Sequence, residues 1–167
     1  YWVSYPQMVK LAGGTPVIVN TGFAQDFKMK PEQLEAAITP RTRLLILCSP
    51  SNPTGSVYSK EELKALADVI LSHEGVYVLA DEIYEHINYT GRHESIAQFA
   101  GMQERAIIVN GVSKAYAMTG WRIGYIAAPE WIVKGCNKLQ GQYTSGPCSV
   151  SQKAAEAAYN SDQSCVE

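Results

Sequence analysis

Hydrophobic positions along the chain follow two periods in turn. PVIVN (16–20), RLLILCSP (43–50), VYVLA (76–80), AIIVN (106–110) and RIGYIAA (122–128) are apolar runs of strand length. Continuous rather than alternating runs predict strands covered on both faces. The stretches between them repeat at helical spacing. PEQLEAAI (31–38) reads as a helix with Pro31 in its first turn, where a missing N–H does no harm. Ser59 and Glu62 form a capping box, and Leu63, Leu66, Ala67, Ile70 and Leu71 then share one helical face. After Pro129-Glu130, the residues Ile132, Cys136, Leu139 and Tyr143 share another face, and the Gly146-Pro147 break precedes a last helix containing KAAEAAY. This order predicts an α/β protein: a three-layer α/β/α sandwich around a mostly parallel sheet.

In open α/β sheets, ligands bind outside the carboxyl ends of the strands. The residues just past three of those ends are Ser49-Pro50-Ser51-Asn52, Asp81-Glu82 and Asn110-Gly111-Val112-Ser113-Lys114. Taken singly, Asn52 reads as a turn residue before proline, Asp81 as a helix cap and Lys114 as a solvated loop charge. Together they place an amide, a carboxylate and an amine on one edge of the sheet.

Composition narrows the choice. With 46% hydrophobic and 18% charged residues, the 167-residue chain is globular and large enough for one core. The formal net charge of −2 leaves no footprint for nucleic acid or an anionic membrane surface. No apolar run approaches the roughly 18 residues of a membrane span. Cys48, Cys136, Cys148 and Cys165 have no ligand-like spacing, and His73, His86 and His93 form no pattern with them, so neither disulfides nor a metal site is expected. Free thiols fit a cytoplasmic protein.

The segment GVSKAYAMTGWRIG, Gly111 to Gly124, resembles the pyridoxal-phosphate attachment segment of class I and II aminotransferases. Small residues flank Lys114, Ala117 and Met118 follow at three and four, Gly120 at six and Arg122 at eight. SPSNPTG and ADEIYE are similar to the family's two other signature segments, in the same order. The resemblance runs from Tyr1 to about Tyr159, and its flavour is the bacterial aspartate-type branch. It implies pyridoxal 5′-phosphate held as a Schiff base on Lys114, which then shuttles the substrate proton. It further implies Asp81 on the pyridine nitrogen, Asn52 and Tyr84 on the phenolic oxygen, Arg122 and Ser113 on the phosphate, and Trp2 stacked on the ring. The chemistry is coherent: a shielded amine deprotonates and attacks an aldehyde, and a protonated ring is an electron sink. Glu82, Glu85 and His86 read as solvated or packing residues, and Tyr125 and Trp121 as core or interface.

The same resemblance implies an amino acid and a 2-oxo acid as substrates and a homodimer for the full-length protein. Residues 1–167 would form part of the large cofactor-binding domain, with the N-terminal arm and C-terminal small domain outside them, and would be inactive alone. Two other readings keep the fold: a carbon–sulfur β-lyase, or a ligand-sensing domain of a transcription regulator. A phosphate-binding NTPase is excluded, because no G-x-x-x-x-G-K-[ST] occurs.

Overall fold

A computed structural model describes residues 1–166 of the chain. Strands β1 (Leu44–Cys48), β2 (Tyr77–Asp81), β3 (Ala106–Gly111) and β4 (Gly124–Ala127) form a single sheet in the order β1-β2-β3-β4. The first three pair in parallel and β4 runs antiparallel to β3. Helices α1 (Tyr5–Leu11), α2 (Pro31–Ala37), α3 (Lys60–Ser72), α4 (Glu130–Tyr143) and α5 (Ser149–Asn160) complete the architecture. The fold is α/β with a mostly parallel sheet.

The register decides which side chains share a face. Leu47 sits opposite Ala80, Leu45 opposite Val78, and Val78 opposite Ala106. That face packs against Leu63, Leu66, Ala67 and Ile70 of α3, with Ile96, Phe99 and Met102 from the β2–β3 crossover closing the core. Helix α3 starts where the capping box predicts: Ser59 Oγ accepts from the Glu62 amide at 3.2 Å, and Glu62 Oε2 accepts from the Ser59 amide at 2.7 Å. Reciprocal capping satisfies two otherwise unpaired amides and fixes the first turn.

The opposite face is covered less. Cys48, Tyr77, Leu79 and Asp81 lie on it by alternation. Tyr5 of α1 reaches it at Asp81, and Trp131 of α4 stands edge-on to Tyr77 with ring centroids 5.6 Å apart. Helices therefore approach both faces, as the sequence predicts, but only α3 seals its side.

Two expectations need correction. PVIVN (16–20) is not a strand: no described strand pairs with it, and Val17 and Ile18 are exposed. A strand needs a ladder for its amides and carbonyls; here the Gln33 side chain donates to the Asn20 carbonyl at 3.2 Å instead. The apolar stripe of α4 forms a helix, but none of its residues is fully buried, and Leu139 and Tyr143 are exposed.

Leu66 is wholly buried between α3 and the sheet. Leu66→Ala should lower the unfolding free energy by about 3 kcal/mol through lost burial and a residual cavity, read as a lower urea midpoint at unchanged slope. A loss below about 1 kcal/mol would place the centre of the core elsewhere.

Candidate active site

Parallel pairing of β1, β2 and β3 sends their carboxyl ends to one edge. The strand order shows no reversal among the described residues, so no switch point opens this edge. Loops from three adjacent strand ends build the site instead.

Asp81 is the last residue of β2 and half-buried. Its Oδ1 accepts from the Ile83 amide at 3.2 Å, and its Oδ2 accepts from the Tyr5 hydroxyl at 2.6 Å. The first is a local turn bond of the kind aspartates form just past a strand. The second joins the carboxylate to a residue 76 positions away in sequence. Tyr5 is buried, and Trp2 packs edge-on against it at 5.6 Å with the rings at 86°. Burial, and after it the hydrogen bond to Asp81, pushes the Tyr5 phenol far above its ordinary range. It stays a neutral donor.

Three residues further along the β2 turn, Tyr84 meets the other two strand ends. Asn52 Nδ2 donates to the Tyr84 hydroxyl at 3.3 Å, a long bond. Lys114 Nζ stands 5.6 Å from the Tyr84 ring centroid, within the range of a cation–π contact. Asn52, Tyr84 and Lys114 are thus brought together, with Asp81 on the same turn as Tyr84. Lys114 itself is exposed, so the described residues do not supply the shielding expected for its amine.

The Lys114 segment is folded back onto β4. Gly111 pairs with Gly124, and a Cβ on Gly111 would lie 2.7 Å from the Ile123 carbonyl oxygen and 2.9 Å from Gly124 Cα. Only glycine permits that approach. Between them, Ala117 and Arg122 hold φ of 52° and 58°, a left-handed region that costs non-glycine residues energy and recurs at functional sites. Arg122 Nη1 donates to the Thr119 carbonyl at 2.9 Å, while Thr119 Oγ1 donates to the Ser113 carbonyl at 3.0 Å. Ser113 and Arg122 are linked through Thr119 and do not touch directly. Trp2 meets the cluster only through Tyr5.

Two residues escaped the sequence reading. Tyr5 carries no motif signal, only its spacing of three from Trp2. Glu82, read as solvated or packing, is buried, but its partners were not foreseen: Ser95 Oγ donates to Oε1 at 2.6 Å and His93 Nε2 lies 3.0 Å from Oε2. Glu82, Glu85 and His93 bring potential ligand atoms within 4.8 Å of one another, a grouping that sequence spacing does not reveal. Both Glu82 oxygens are already engaged within the protein. Of the neighbours set aside, Trp121 and Tyr125 are exposed, and Tyr125 shares a hydrogen bond with Tyr159 at 3.0 Å.

Fold and candidate site together define an α/β protein that gathers an amine, an amide, a phenol and a carboxylate at parallel strand ends. Residues 1–167 match the family "Aminotransferase class I and II". The chain belongs to that family. It is 55% identical to the bifunctional aspartate aminotransferase and glutamate/aspartate-prephenate aminotransferase of Petunia hybrida, over 95% of this chain and 33% of that protein. It is 53% identical to the aspartate aminotransferase of Geobacillus stearothermophilus, over 100% of this chain and 43% of that one. The crystal structure of the aspartate aminotransferase from Rhizobium meliloti superposes with a TM-score of 0.97 at 46% identity, covering 99% of this chain and 42% of that one. The chain therefore spans less than half the length of these relatives.

The thiols offer a check on the geometry. Burial pushes Cys48, which pairs with Asp81 in the sheet, up from the ordinary thiol value, while backbone N–H groups of Ser151 and Val150 at the start of α5 draw exposed Cys148 down. A higher thiolate fraction reacts faster. At neutral pH, iodoacetamide should label Cys148 at least about tenfold faster than Cys48, measured by peptide mass spectrometry over time. Equal rates would mean that the sheet edge at Cys48 is open.

Proposed function

We propose that the protein carrying this chain is a pyridoxal-phosphate-dependent aminotransferase of aspartate type, moving an amino group from an amino acid to a 2-oxo acid. The single observation that carries this reading is the convergence of Lys114, Tyr84 and Asn52 beside Asp81 at parallel strand ends. The names of the petunia and Geobacillus relatives support aspartate as the amino donor.

The residues present suit the cofactor. Neither Lys114 nor Arg122 has an ion-pair partner among the described residues, so both cations are available to an anionic, aldehyde-bearing ligand. Asp81 offers a carboxylate braced from two sides, and the Asn52–Tyr84 pair offers an amide and a phenol. When bound, pyridoxal phosphate supplies an electron sink for the charge that develops at the substrate Cα.

In this reading Lys114 Nζ would hold the cofactor at its aldehyde, and the same amine, when free, would carry the substrate Cα proton. A positioned amine of this kind contributes through proximity as much as through basicity. Asp81 holds a proton on the pyridine nitrogen, where its negative charge favours the protonated ring. Tyr84 and Asn52 donate to the phenolic oxygen. Arg122 and Ser113 take the phosphate, the guanidinium through charge-assisted hydrogen bonds. Trp2 would offer its indole to the ring.

The domain assignment belongs to the same proposal: residues 1–167 form part of the large cofactor-binding domain and hold the cofactor side of the site. The test is oxaloacetate formation from aspartate and 2-oxoglutarate by the full-length enzyme, followed through a coupled dehydrogenase. Lys114→Ala and Asp81→Ala should each lower kcat by at least about 10³-fold, with secondary structure unchanged by circular dichroism. Turnover of Lys114→Ala within tenfold of the parent would refute the assignment.

A further inference from the structure

We infer that Tyr5 is a positioning residue for Asp81: its buried hydroxyl fixes the carboxylate and sets how strongly Asp81 can hold a proton on its ligand. The inference rests on the role proposed above for Asp81.

A carboxylate at the end of a strand can rotate about two side-chain torsions. One local bond, from the Ile83 amide to Oδ1, does not hold both. The Tyr5 hydroxyl adds a second donor from a different element, on the other oxygen and at 2.6 Å, the short distance of a charge-assisted O–H···O⁻ bond. Each oxygen is held from the protein side and keeps acceptor capacity for one further donor.

Tyr5 is itself fixed. It lies in the first turn of α1, is buried, and has the Trp2 ring edge-on against it. A mobile phenol would lose much of this bond to side-chain entropy, whereas a packed one does not. Among the described residues, the titratable side chains against the carboxylate are Tyr5 from α1 and Cys48 from the adjacent strand. Cys48 donates to the Pro50 carbonyl at 3.3 Å, so Tyr5 alone of the two bonds Asp81. Raised by burial, the phenol donates without ionising.

The bond has an electronic consequence. A donor on one oxygen withdraws charge from the carboxylate and makes it a weaker acceptor toward a second donor. Removing the Tyr5 hydroxyl makes Asp81 a stronger base, so it keeps the ligand's ring nitrogen more fully protonated. A more positive ring lowers the pH at which the Lys114-linked nitrogen gives up its proton. A more acidic phenol at position 5 acts in the opposite sense.

The experiment uses the full-length, cofactor-loaded, substrate-free enzyme and reads the pH midpoint of its visible absorbance. Three proteins are compared: Tyr5→Phe, the parent, and the parent with 3-fluorotyrosine at position 5. The midpoint should rise in that order, with Tyr5→Phe lower than the parent by about half a pH unit or more. Turnover of Tyr5→Phe should fall about tenfold with KM for aspartate within about threefold, because the carboxylate keeps only its local anchor and loses the orientation that the second donor fixes. Equal midpoints in the three proteins, or the reverse order, overturn the inference. The fluorinated protein differs by one atom, so a folding defect in Tyr5→Phe does not remove the test. A parent without a lysine-linked visible absorbance overturns the function proposed above, whereas a normal absorbance with an immobile midpoint overturns only the role of Tyr5.

Discussion

Parallel pairing of β1, β2 and β3 is the constraint on which the rest of the structure depends. Strands that run the same way deliver their carboxyl ends to the same edge, however far apart they lie in sequence. Asn52, Asp81 and Lys114 follow three successive strands and reach one place for that reason alone. An antiparallel pairing of β2 with either neighbour would send Asp81 to the opposite edge. The pairing in turn requires crossovers, and these supply the buried face: α3 and the Ile96–Met102 region cover one side of the sheet. Core and site have a common origin.

The two faces of the sheet are used differently. The sealed face carries stability, through Leu66, Ile70, Val78 and Met102 at near-zero exposure. The other face is half open, and its polar groups are organised by hydrogen bonds rather than by packing. Asp81 belongs to it, and the buried phenol of Tyr5 is what reaches across to hold that carboxylate. The antiparallel β3–β4 pair adds the last constraint. Its Gly111–Gly124 contact folds the Lys114 segment back so that Ser113 and Arg122 are joined through Thr119.

The parallel core was legible because β1 to β3 are continuous apolar runs and α3 announces itself with a capping box and a regular apolar stripe. The positions of Asn52, Asp81 and Lys114 followed from those runs, since all three sit at strand ends. What stayed hidden depends on contacts that no local pattern encodes. PVIVN has the composition of a strand but no partner, and pairing rather than composition makes a strand. The Ile132–Tyr143 stripe makes a helix, yet nothing among the described residues buries it fully. Tyr5 meets Asp81 across 76 positions, and Glu82 became a buried acceptor because Ser95 and His93 fold back onto it. Such pairings are properties of the tertiary fold.

On the function proposed above, Lys114 is the amine that takes the cofactor at this edge. Borohydride reduction of the cofactor-loaded full-length protein, followed by peptide mapping, tests it most directly. A pyridoxyl group is expected on the peptide containing Lys114 and on no other lysine of the chain. A pyridoxyl group on a different lysine, with Lys114 unmodified, would contradict it.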